Sequence, residues 1–142
     1  MAGSPRVLVL RAPEGSDVHE FLAGAIRSGG LSGGLVIGIG GLSQAELGIF
    51  VPSEGAYKII RLEPPSGAVL EVAPLVGNYV ARGPEVSIHL HATLGTPNGA
   101  FAGHLIRGTV RPMLELFVVE VGAEAAGALM QRLTGPRQQT QR

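Results

Sequence analysis

His89-Leu90-His91-Ala92-Thr93-Leu94-Gly95-Thr96-Pro97-Asn98-Gly99-Ala100-Phe101-Ala102-Gly103-His104 carries three of the chain's four histidines. The run Val86-Ser87-Ile88-His89-Leu90-His91 alternates as a strand does, and Phe101 to Val110 reads as a second strand. Thr96-Pro97-Asn98-Gly99 between them is turn chemistry: Pro97 presets φ, and Asn98 and Gly99 tolerate positive φ. A hairpin centred between Pro97 and Asn98 pairs His91 directly with His104. Directly opposed residues share a face, with Cβ atoms about 4.5–5.5 Å apart. His89 points the same way as His91 because side chains alternate along a strand. Three imidazoles then converge, which is the donor set a zinc-type ion needs. The arrangement depends on register: an uncompensated one-residue bulge would turn His104 to the other face. The ordinary alternative is a set of hydrogen-bonded or surface histidines with no metal role.

The rest of the composition narrows the chemistry. With 142 residues and 45% apolar content, the chain reads as one globular domain with a real core. It has no cysteine, so disulfides, thiolate nucleophiles and Cys-based zinc sites are excluded, and any metal must rest on histidine and carboxylate. No apolar run reaches the roughly 18–20 residues of a membrane helix, and no signal-peptide pattern opens the chain. A soluble, cytoplasmic protein is expected. Eleven basic residues balance 11 acidic ones, and all but Lys58 of the basic set are arginine. That neutrality is poor support for intrinsic nucleic-acid binding, which calls for a basic stripe.

Along the chain, Arg6–Arg11 reads as a first strand. Ser16 or Asp17 can cap a helix running to about Ser28, with Val18, Phe21, Leu22, Ala25 and Ile26 at helical spacing and Gly29-Gly30 to end it. Gly34–Gly40, Ala45–Val51, Ala56–Glu63 and Val69–Tyr79 read as further strands, Pro112–Val121 as the last. Ala123–Leu133 is a plausible second helix on alanine propensity. The expected class is therefore α+β: one domain over residues 1–134, a mainly antiparallel sheet of about seven to eight strands and two flanking helices, then a disordered polar tail over 135–142.

Two motifs fail their context. Gly30-Leu31-Ser32-Gly33-Gly34 has the letters of a nucleophile elbow, but that motif needs a strand before it and a helix after it, and here the order is reversed. Gly38-Ile39-Gly40-Gly41 lacks the remaining glycine of a dinucleotide fingerprint. His19, in the first helix, reads as a solvated or boundary residue. Among carboxylates, Glu71 either faces solvent or enters the histidine cleft as a fourth ligand or a general acid/base. Glu46 shares that ambiguity, and Glu115 and Glu120 fall on opposite faces of the last strand.

Taken together these blocks resemble the plants-and-prokaryotes conserved (PPC) domain family in its prokaryotic form. The resemblance runs from about Arg6 to Val121. It rests on Arg6–Arg11 with Gly15-Ser16-Asp17-Val18, Gly34–Ser43, Glu46–Phe50, Glu71-Val72 leading to Gly77-Asn78, and His89-Leu90-His91-Ala92 through Gly103-His104-Leu105. It implies an antiparallel α+β fold, a homotrimer, a metal site at His89, His91 and His104, and a DNA-associated regulatory role. Plant members carry a separate Arg-Gly-Arg-Pro-type hook for DNA, which this chain lacks. The fold and the His-x-His…His spacing are also similar to acetolactate decarboxylase and to a zinc ester hydrolase family. That similarity implies the alternative reading, a zinc-dependent lyase or hydrolase acting on a small carboxylate or ester. There the histidines would hold zinc, Glu71 would be the acid/base, and Arg107 or Arg82 would anchor a carboxylate. A third reading is a structural ion that only staples the hairpin.

The neutral chain generates one prediction. In a fluorescence-anisotropy titration, DNA binding should be weak and vanish between about 50 and 200 mM salt. Sequence-specific binding that survives about 200 mM salt would contradict it.

Overall fold

A computed structural model describes residues 6–122, 124 and 126–129. The elements run β1 (Val7–Pro13), α1 (Val18–Gly29), β2 (Gly33–Val51), β3 (Ala56–Leu62), β4 (Leu70–Arg82), β5 (Glu85–Thr96), β6 (Gly99–Glu120) and a short 3-10 turn at Gly127–Leu129. The α+β class is as expected, but among the described residues six strands replace the expected seven to eight. Gly34–Gly40 and Ala45–Val51 are parts of the single strand β2, and Phe101–Val110 and Pro112–Val121 are parts of β6. The apparent breaks are bulges. Opposite Gly41, the partners of β2 skip from Leu114 to Val110, so residues 111–113 of β6 form a bulge and the strand continues instead of ending. Pro112, which has no N–H to give a ladder, sits in that bulge. The second expected helix is also corrected: of Ala123–Leu133 the structure describes only the 3-10 turn and its flank, and the remainder, like the 135–142 tail, lies outside the described residues.

Helix α1 follows its sequence signals. The Asp17 carboxylate accepts from the Glu20 N–H at 2.9 Å, and Gly30 ends the helix at φ 62, donating to the Arg27 carbonyl. Val18, Leu22 and Ile26 recur at helical spacing on one face and are fully buried.

All strand pairs are antiparallel, in the order β1-β6-β5-β4-β2-β3, and β6 also pairs with β2. That extra pairing closes β6, β5, β4 and β2 into a ring, from which β1 and β3 extend. The inner face holds one core: the buried helix residues meet Leu90, Leu94, Leu105 and Leu116 there. On β5, Leu90, Ala92 and Leu94 are buried, so His89 and His91 occupy the outer face.

The helix-to-strand turn that carries Ser32 has a structural task. The Glu120 carboxylate accepts from Ser32 N–H at 2.7 Å, Gly33 N–H at 3.0 Å, Gly122 N–H at 2.9 Å and the Ser32 hydroxyl at 3.2 Å. Burial alone would raise the Glu120 carboxyl, but the Ser32, Gly122 and Gly33 hydrogen bonds outweigh it and hold it below the usual carboxylate range. A carboxyl depressed in the folded state contributes stability that is present above its unfolded value and lost as pH falls through the folded one. Glu120→Gln should therefore cost about 1–2 kcal/mol in urea unfolding at pH 7, allowing for partial solvent exposure. The difference from wild type should narrow as the pH is lowered below the ordinary carboxyl range. An unchanged midpoint at pH 7 would contradict this role.

Candidate metal centre

The β5–β6 hairpin turns over Pro97 and Asn98, with Thr96 opposite Gly99. The Thr96 hydroxyl ties the turn, donating to the Gly99 carbonyl at 3.0 Å and accepting from the Asn98 N–H at 3.2 Å. Counting back from this turn, His91 pairs with His104, the register the turn residues predict. No bulge intervenes between Thr96 and His91. The three imidazoles consequently meet: His89 Nε2 stands 3.2 Å from His91 Nε2, and one ring nitrogen of each histidine lies within 4.8 Å of the others.

That spacing suits a shared ion. Zinc–nitrogen bonds of about 2.0–2.1 Å in a tetrahedral shell place donor nitrogens roughly 3.3 Å apart. The His89–His91 pair already meets this, and a small contraction brings in His104. The His104 ring supplies a second observation: its Nδ1 is buried and has no hydrogen-bond partner. A buried polar atom left unpaired costs about 1–3 kcal/mol, a cost understandable in a ring held ready for a metal. The donor set fits a borderline ion such as zinc, since neutral imidazoles are its usual ligands.

Neighbouring residues position the rings. On the far side of His104, β2 contributes Gly48 as its partner, and β3 pairs Ile59 with Gly48. The Tyr57 ring leans across Gly48 and stacks on His104, with centroids 5.3 Å apart and planes 28° apart. A Cβ on Gly48 would come within 2.9 Å of Tyr57 Cδ1, so glycine there makes the stacking possible. Gly77 on β4 is equally constrained: its partner is Leu90, and a Cβ would run into the His89 carbonyl. Tyr57 carries no signal in the sequence, and although Gly48 and Gly77 fall in blocks that carry the family resemblance, their roles depend on registers of strands distant in the chain.

Among the described residues no Asp or Glu joins the histidine group. Glu71 shares the outer face but pairs with Gly95, four residues up β5 from His91, or about 13 Å along the strand. Glu46 lies closer, two residues along β2 from Gly48, and is engaged by Arg61 Nε at 3.1 Å and Arg107 Nε at 3.6 Å. Glu115 pairs with Arg11 and Ile39, and Glu120 belongs to the Ser32 turn. Arg82 meets Glu85 at the β4–β5 turn, away from the histidines, so only Arg107 of the two expected anchors stands near the site.

With the geometry in place, the comparisons decide the family. The family model of the Plants and Prokaryotes Conserved (PCC) domain matches residues 1–122. The chain belongs to this family. No curated protein matches it. Among solved structures, the PCC-family chain is similar to a plant- and prokaryote-conserved protein of Pyrococcus horikoshii, at 29% identity over 84% of this chain and 83% of that one, TM-score 0.72. A metal-containing protein of Archaeoglobus fulgidus shares the fold at 23% identity, covering 81% and 79% of the two chains, TM-score 0.72. The α-acetolactate decarboxylase of Bacillus subtilis shares it more distantly, at 14% identity over 80% of this chain and 51% of that one, TM-score 0.53.

Burial, reinforced by the charges of His89, His91 and to the smallest extent His19, pulls His104 down to about 4. His19 is half-buried, a boundary residue as its place in α1 suggests, and is lowered chiefly by burial. A histidine depressed in the folded state leaves stability intact above its unfolded value near 6.5 and erodes it as pH falls toward the folded value. Metal-free protein should accordingly lose on the order of 1–2 kcal/mol between pH 6.5 and 4 through His104, after discounting for solvent around the ring. Urea midpoints across that range, compared with His104→Gln, measure it. Parallel pH profiles for the two proteins would contradict it.

Proposed function

We propose that His89, His91 and His104 hold one zinc-type divalent ion per chain, that the centre keeps an open position, and that the position receives a small carboxylate. The observation that carries this reading is the His91–His104 register, which gathers three ring nitrogens and no fourth donor among the described residues. Three protein ligands with a free position is the arrangement of catalytic and ligand-binding zinc sites, while structural sites are closed by four. The metal-containing relative from Archaeoglobus fulgidus lends support through its shared fold.

The ligand class follows from the neighbouring charges. Arg61 and Arg107 both approach one carboxylate, Glu46, and leave a surplus positive charge two residues along β2 from His104's partner. Arg107 is largely exposed and its guanidinium is suited to hold a carboxylate whose other end reaches the metal. An ion held by the three histidines would supply Lewis acidity there. A general acid or base must lie within about one hydrogen bond of the reacting group, and Glu71 of the same chain does not, so no catalytic role is assigned to it. The likeness to the decarboxylase is one of fold and assigns no reaction. We also propose the homotrimer that the family resemblance implies. DNA association draws less support, because the chain is neutral overall.

Metal analysis and calorimetry test the reading together. Purified protein should carry about one zinc-type ion per chain, and His91→Ala should lose it. Lactate or pyruvate should bind the loaded protein, with Arg107→Gln weakening binding about tenfold while leaving metal content unchanged. Metal retained at full stoichiometry when all three histidines are alanine would overturn the assignment. Equal carboxylate binding by loaded and metal-free protein would overturn the ligand class.

A further inference from the structure

The three histidines have different neighbours on the adjoining strands. On β4 the residue paired with His91 is Val76, whose side chain forms no hydrogen bond. On β2 the residue paired with His104 is Gly48, and the His104 Nδ1 is buried and unpaired. His89 differs from both, because its partner across the β4–β5 ladder is Asn78. That ladder runs without a bulge from the Leu75–Ala92 pair to the Arg82–Glu85 pair, so the pairs on either side hold Asn78 opposite His89.

Both side chains lie on the outer face of the sheet. The adjacent pair joins Gly77 to Leu90, which is fully buried, so residues 78 and 89 turn the other way. Directly opposed residues have Cβ atoms about 4.5–5.5 Å apart. Glycine at 77 admits the close approach of the two strands at this point, since a Cβ there would run into the His89 carbonyl. On its other flank Asn78 pairs with Leu35, an apolar residue, so its directly opposed polar neighbour is His89.

The ring atoms divide the work. His89 Nε2 stands 3.2 Å from His91 Nε2, which makes Nε2 the atom His89 presents to the cluster. A metal ligand offers a lone pair, so a neutral His89 that binds through Nε2 carries its proton on Nδ1. Nδ1 lies two bonds from the histidine Cβ, and the carboxamide oxygen lies two bonds from the asparagine Cβ. These two atoms can therefore meet across a direct pair. Metal-binding histidines ordinarily donate their second N–H to a carboxylate, a carbonyl or water. The Asn78 carboxamide offers such an oxygen and keeps its NH2 end for another partner.

We propose that Asn78 is a positioning residue: its carboxamide oxygen accepts from His89 Nδ1–H and fixes the tautomer whose Nε2 lone pair faces the other two histidines. In metal-free protein His91 then donates its Nε2–H to His89 Nε2, which accounts for their 3.2 Å approach. Loading the site requires only that His91, which is exposed, carry this proton on Nδ1 instead, where solvent accepts it. A carboxamide has no charge, so it orients the ring without offsetting the positive charge that attracts an anionic ligand. The inference deepens the metal site proposed above and rests on it for the use of the tautomer, but it places the proton in metal-free protein as well.

The test uses protein labelled with 15N-histidine and long-range 1H–15N correlation spectra at about pH 8, where histidines are neutral. The His89 signals are identified by their loss in His89→Gln. Metal-free wild type should show His89 protonated on Nδ1. Asn78→Leu, checked for folding by circular dichroism, should shift the proton to Nε2, and Asn78→Asp, which keeps an acceptor oxygen, should restore it to Nδ1. Zinc affinity, read by competition with a chromophoric chelator, should fall about ten- to a hundredfold in Asn78→Leu and recover in Asn78→Asp. Wild-type His89 protonated on Nε2, an unchanged tautomer in Asn78→Leu, or undiminished zinc affinity in that variant overturns the proposal. The wild-type spectrum decides the matter even if Asn78→Leu does not fold. A wild type that takes up no zinc overturns the proposed function, and the metal-free tautomer then still decides the role of Asn78.

Discussion

The register of the β5–β6 hairpin governs the site. A two-residue turn over Pro97 and Asn98, tied by the Thr96 hydroxyl, determines which residues face each other for the whole run back to His91 and His104. A slip of one residue would send His104 to the inner face, among Leu90, Leu94 and Leu105. The core opposes that slip strongly, since it would exchange buried leucines for an imidazole. The same apolar inner face that stabilises the fold thus holds the three donors together on the outer face.

The closed sheet adds the remaining constraints. Because β2 pairs with β6 as well as with β4, it borders the histidine hairpin on its β6 side, and Gly48 becomes the neighbour of His104. A small residue at that point admits Tyr57 over the ring and leaves His104 Nδ1 covered and unpaired. Burial of this histidine keeps it neutral at pH 7, the protonation state a metal requires. Arg61 on β3 and Arg107 on β6 flank Glu46, two residues along β2 from Gly48.

The hairpin and its histidine pairing were legible in the sequence because turn chemistry and strand alternation are local signals that agree with each other. Helix α1 was legible for the same reason, from Asp17 to Gly30. The strand count was not, because a bulge and a turn use the same residues. Gly41 to Gln44 and Arg111-Pro112 read as breaks, yet the ladder continues through them. The place of Glu71 was equally hidden: it depends on the β4–β5 register, which shifts between Val72 and Leu75 at a point no periodicity marks. Tyr57 lay further out of reach, since its place over His104 emerges only when several long-range registers are known together.

The central claim is that three imidazoles, brought together by the hairpin, form one metal centre with a free position. X-ray absorption at the zinc edge of the loaded protein addresses it most directly. The account predicts a first shell of three imidazole nitrogens at about 2.0–2.1 Å and one further light donor from solvent or a small ligand. A shell with one or two imidazoles, or one closed by a fourth protein ligand, would contradict it.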